Sequence, residues 1–189
     1  MVDRSSLDTN AKALEDAFFA RENAKLLEQV RARNEQSERR EALRAAMGKV
    51  DDATLDRLLD LGVSGETALA VTLVPLVRVA WADGALDDRE RAAILQAADA
   101  RGITADSAGY AVLTAWLLVR PQNELQRIWE MYMAAIWPQL RELERKELRE
   151  YIVGLARGVA EQAGGFLGLG FKVSSAEAAV LKETEAALA

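Results

Sequence analysis

Leu69-Ala70-Val71-Thr72-Leu73-Val74-Pro75-Leu76-Val77-Arg78-Val79-Ala80-Trp81-Ala82 is apolar on nearly every side of a helical projection. Asp83-Gly84-Ala85-Leu86-Asp87-Asp88-Arg89-Glu90 follows at once, and a second helical pattern runs from Ala92 to Ala100. A helix apolar all round belongs at the centre of a domain. Pro75 is expected to kink it or restart it. Val71, Thr72, Val74, Val77 and Val79 favour a strand on propensity alone, but the length of the run and its helical flanks favour a helix. The expected core is therefore centred on Leu69 to Ala82.

Asp83-Gly84 is a turn dipeptide, since Gly adopts φ > 0 freely and Asp bonds its own backbone two residues on. Asp87 lies three residues before Glu90, ahead of Ile94 and Leu95. That is an acidic capping box, with Asp87 accepting from the Glu90 N–H and Glu90 reaching back to the Asp87 N–H. Asp88 adds negative charge where the helix dipole favours it. The helix is expected to start near Asp88 and stop at Gly102. A second reading of the same turn is a divalent-cation site, with Asp83, Asp87, Asp88 and Glu90 offering oxygen ligands to Ca²⁺ or Mg²⁺, Asp83, Asp87 and Glu90 foremost. The stretch is shorter than the EF-hand loop of about 12 residues and lacks its ligand spacing.

Composition agrees with helices. The chain has 189 residues, half of them apolar, with three prolines. Ala, Leu, Glu and Arg dominate, which indicates an all-α fold of roughly seven to nine helices and no sheet. Formal charge is -6, which argues against non-specific binding to nucleic acid or to an anionic membrane. There is no Cys and no His, so thiol nucleophiles, zinc-thiolate sites and the commonest general base are excluded. The first residues lack the apolar core of a signal peptide, and the longest apolar run carries Arg78 and is too short for a membrane span. A cytoplasmic location is the expectation.

Asp8-Thr9-Asn10 offers N-caps for a helix from Ala11 to about Met47. Its first half carries an apolar stripe of Leu14, Ala17, Phe18, Ala24, Leu27 and Val30, widened by Phe19. Its second half, from Arg31 to Arg44, interleaves both charges. The stripe needs cover, either by folding back on its own domain or as an arm that binds another protein or a second copy of the chain. The chain is expected to divide into an arm, residues 1–50, and a helical domain, residues 51–189. Deleting the residues before Gly48 is then expected to leave a folded domain.

Further helices follow. Asp51 or Asp52 caps one closed by Gly62, and Ser64 caps the apolar helix. Thr104 or Asp106 caps one to about Val119, and Asn123 one to about Ile136. A long helix runs from Leu140 to Gln162 with Leu140, Leu143, Leu148, Ile152, Leu155 and Val159 inward and a Glu142–Lys146 pair outside. Trp81, Trp116 and Trp129 are expected in the core rather than in a ligand cage. Phe166-Leu167-Gly168-Leu169-Gly170-Phe171 lacks the Lys-Ser/Thr ending of a phosphate loop. It reads either as a loop pinned to the core or as an apolar docking surface through Phe166, Leu167 and Leu169. Ser174 to Glu177 is a second capping box, opening the last helix.

The order apolar run, Ala82-Asp83-Gly84, Asp87, Glu90, apolar helix resembles the signature of the TerB-like family over residues 51–189. The family takes its name from a tellurite-resistance protein, and a related domain occurs in a membrane-anchored J-domain co-chaperone. The resemblance implies a compact helical bundle with acidic loops, roles in stress response, and metal binding. It also implies a second acidic turn near the C-terminus. Here Gly170-Phe171 stands where that turn would carry Asp-Gly, so one carboxylate is missing. Without a nucleophile and base, catalysis is not expected, and a metal-assisted hydrolase ranks behind a scaffold and a cation binder.

Overall fold

The computed structural model describes residues 4–163 and 173–189, with side chains from Phe18 onward, that of Ala163 excepted. Among these residues there is no strand, and the elements are nine α-helices and one 3₁₀ turn. They are α1 (Arg4–Met47), α2 (Asp52–Asp60), α3 (Ala68–Val71), α4 (Val74–Ala80), α5 (Asp88–Asp99), α6 (Ala108–Leu118), α7 (Asn123–Ile136), the 3₁₀ turn Trp137–Gln139, α8 (Glu142–Ala163) and α9 (Ser175–Ala187).

The centre is α4. Every residue in it except Arg78 is buried, and it packs against α5, α7, α8 and α9. Pro75 sits in its first turn, where a missing N–H does no harm, so the apolar run restarts there as a new helix rather than bending. α3 leans on α6 and α7, and α2 on α7. Leu69, expected in the core, is exposed, because the single turn of α3 points Ala68, Ala70 and Val71 inward instead. Between α2 and α3 the backbone at Gly65 runs so close to α1 that a Cβ there would stand 2.6 Å from the Ala42 carbonyl oxygen.

The chain forms two compact units, Met1–Arg39 and Arg40–Ala189. α1 begins at Arg4, so Asp8, Thr9 and Asn10 lie inside it rather than capping it; no breaker precedes them. In the first unit the side chains of Phe18, Phe19, Leu26, Leu27 and Val30 are exposed. The second unit opens with the last turns of α1, where Leu43 and Met47 belong to the core. A boundary at residue 50 therefore cuts through packed side chains. Gln139 fixes this corner: the Lys49 N–H donates to its Oε1 (2.6 Å), and its Nε2 donates to the Met47 carbonyl (3.2 Å).

Several helix starts differ from expectation. At Ser64 the chain makes a turn closed by Thr67, and regular helix begins only at Ala68. The cap of α6 is Ser107, whose Oγ accepts from the Tyr110 N–H (3.1 Å); Asp106 instead accepts from the Thr104 hydroxyl (2.6 Å). Asn123 is the first residue of α7, and Gln122 occupies its cap without a side-chain bond. Leu143 is exposed, since five residues before Leu148 lies about 140° round the helix from the buried face. The outer face of α8 pairs Lys146 with Glu150, and Glu144 with Arg141 just before the helix, in place of Glu142 with Lys146. Trp129 is fully buried, while Trp81 and Trp116 are partly exposed at the edge of the core.

Candidate functional site

The acidic turn joins α4 to α5. The Ala85 N–H donates to Asp83 Oδ1 (3.1 Å), which shapes the turn, and Gly84 takes the left-handed backbone that a side chain would resist (φ 97°). Asp87 is the N-cap of α5. Its Oδ1 accepts from the N–H groups of Arg89 and Glu90, both at 2.8 Å, and Glu90 Oε2 accepts from the Asp87 N–H at 2.9 Å. The box is complete in both directions. α9 opens in the same way: Ser174 Oγ accepts from the Glu177 N–H (3.2 Å), and Glu177 Oε2 from the Ser174 N–H (2.6 Å).

Glu residues in capping boxes usually face water. Here Glu90 is 2 % exposed and Glu177 3 % exposed, because both helices pack against α4. Burial pushes the Glu90 carboxyl up to about 7 from its ordinary 4.5; the Asp87 N–H opposes that shift, and the charges of Asp87, Asp83 and Glu177 add to it. A solvated acidic turn would not show this. The kinship of the two boxes is visible in sequence, but the burial of their glutamates is not.

That raised pKa carries a pH dependence. Between pH 4.5 and about 7 the folded chain holds a proton on Glu90 that the unfolded chain releases. Stability from this group is thus fully present below pH 4.5 and is lost as pH rises through 7. The expected loss is on the order of 2 kcal/mol. Urea unfolding of the parent and of Glu90→Gln at several pH values measures it: the gap in stability between the two chains should move in favour of Glu90→Gln by that amount as pH rises from 4.5 to 7.5. A gap independent of pH would remove the assignment.

Of the carboxylates read as cation ligands, Asp83, Asp87 and Glu90 therefore each close a local hydrogen bond first. Among the described residues no three acidic side chains converge as a metal-ligand group. Of the residues read as docking positions, Phe18 and Leu27 are exposed at 60 % and 59 %. The Leu14 side chain, and Phe166, Leu167 and Leu169 altogether, lie outside the described residues. Among the described residues no helix is long and apolar enough to cross a membrane. Comparison with protein-family models, with curated proteins and with solved structures finds no match to the chain.

Proposed function

We propose that the chain is a non-catalytic, cytoplasmic helical interaction protein of TerB-like type, with a stress-response role as that resemblance implies. Its first unit is the docking element, for a protein partner or a second copy of the chain. The observation that carries this reading is the exposed set Phe18, Phe19, Leu26, Leu27 and Val30, each more than half exposed on a single helix. Helices with an apolar stripe bury it in their working state, and apolar patches of this kind mark protein–protein contact. Analytical ultracentrifugation of the full chain and of Phe18→Glu/Leu27→Glu tests it. Concentration-dependent association that the double substitution abolishes, at an unchanged melting temperature, is the expected result. A full chain that stays monomeric throughout the range removes the self-association form of the proposal.

One observation favours a second reading, a divalent-cation binder at Asp83, Asp87 and Glu90. Glu90 is held among the charges of Asp83, Asp87 and Glu177, and Ca²⁺ or Mg²⁺ would relieve that repulsion. The two readings of the turn disagree about one substitution. As a cap, Asp87→Asn is mild and Asp87→Ala costs about 1 kcal/mol. As a ligand, Asp87→Asn abolishes any rise in melting temperature with Ca²⁺ or Mg²⁺. The expected outcome is the first, with no response of the parent to either ion.

A further inference from the structure

Arg78 is the only charge in the run from Ala68 to Ala82 and the one residue of α4 that is not buried. Arg78 lines a cavity of about 380 Å³ formed by the end of α4, the α6–α7 connection, the start of α7 and α9. Arg120 and Arg127 line the same cavity, and no carboxylate is among its described lining residues. In a chain of net charge -6 this is a local inversion: Arg78 is paired with Glu183, and Arg120 and Arg127 add further positive charge around the same space.

Two of the three cations are under-used. Arg78 Nη2 donates to Glu183 (2.8 Å), but among the described residues its Nη1, though shielded from water, has no partner. Arg120 and Arg127 enter no ion pair among the described residues. Arg120 borders the acidic turn, its Nη1 lying 3.8 Å from where a Cβ on Gly84 would be, without pairing to any carboxylate there. The N-terminus of the 14-residue helix α7 opens on the same space, since Gln122 and Asn123 are lining residues. With no side-chain cap at Gln122, its first-turn N–H groups and dipole add to the positive field.

The rest of the wall is apolar. Trp81, Leu125 and Val180 contribute to it. The Trp81 indole N–H is already donated to the Trp116 carbonyl (3.0 Å), so its ring is presented as a hydrophobic surface. The volume lies within the range of small-molecule sites. Guanidinium groups and a helix N-terminus together match a compact dianion with several acceptor oxygens better than a single carboxylate. We propose that this cavity binds a small organic phosphate, its phosphoryl group held by Arg120 and Arg127, with Arg78 adding positive field behind them, and its apolar body against Trp81.

The test uses the full chain and phenyl phosphate, followed by two-dimensional ¹H–¹⁵N NMR. Saturable shifts are expected for the Trp81 indole N–H and the amides from Gln122 to Leu125. Arg120→Gln/Arg127→Gln is expected to weaken binding about tenfold or more. These side chains are exposed and outside any described ion pair, so the variant should keep the parent melting temperature. Arg127→Gln alone, with a smaller loss, serves if the double variant does not fold. Inorganic phosphate should bind more weakly than phenyl phosphate at the same resonances. Absence of shifts with phenyl phosphate, or equal affinity in the arginine variants, overturns the site. Benzoate binding as tightly as phenyl phosphate overturns its assignment to phosphate.

Discussion

Deleting residues 1–39 is expected to leave a folded helical domain with the melting temperature of the full chain, whereas deleting residues 1–47 is expected to unfold it. The difference is eight residues of α1. Within them Leu43 and Met47 are buried in the core, and losing a buried Leu or Met side chain costs about 2–5 kcal/mol each. Two such losses approach the whole stability of an ordinary domain, about 5–15 kcal/mol. The shorter deletion also keeps Arg40 paired with Asp56 (Nε to Oδ1, 2.8 Å) and Arg44 paired with Asp52, though these partly exposed pairs add little. Circular dichroism and thermal melting of the two truncated chains decide the matter. If the chain starting at Gly48 melts like the parent, the last turns of α1 are not part of the core.

The second large effect is at Trp129, which is 1 % exposed in the middle of α7. Trp129→Ala is expected to lower stability by about 3–5 kcal/mol. Trp81→Ala and Trp116→Ala should cost less, because both rings are partly exposed. Trp129→Phe is the informative companion. Among the described residues the Trp129 indole Nε1 is buried without a hydrogen-bond partner, so Phe removes an unmet donor along with some volume. The expected loss for Phe is under about 2 kcal/mol, the cavity left being partly offset by the lost desolvation penalty. Chemical denaturation of the three alanine variants and Trp129→Phe gives the ranking. Equal losses at all three tryptophans would contradict it.

The frame of the molecule is legible in its residues wherever local chemistry acts alone. The all-round apolar run places α4 at the centre, Pro75 restarts it, and Asp87 with Glu90 and Ser174 with Glu177 start α5 and α9. Errors arise where two neighbouring groups compete for one job. Asp106 and Ser107 are both good caps, and Asp106 is taken up by the Thr104 hydroxyl, which leaves Ser107 to start α6. Leu143 is apolar but out of phase with Leu148, Ile152 and Val159, and phase rather than polarity decides burial. What no local reading reveals is what a helix end abuts. Glu90 looks like a solvated cap until α5 is packed on α4. Arg78, Arg120 and Arg127 look like scattered surface charges until α4 and α7 bring them to one cavity. Arg78 alone gave a signal, as the single charge in an apolar run.

The placement of α4 also sets a timetable for biosynthesis. This helix ends at Ala80, but the partners that cover it include α8 and α9, and α9 ends at Ala187. Ribosomes add about 5–20 residues per second, so this apolar helix is synthesised roughly 5–20 seconds before its last cover is made. A nascent chain that stalls inside α8 presents Val74 to Ala80 without α9. The central helix that organises the finished molecule is therefore incompletely covered through most of the chain's synthesis.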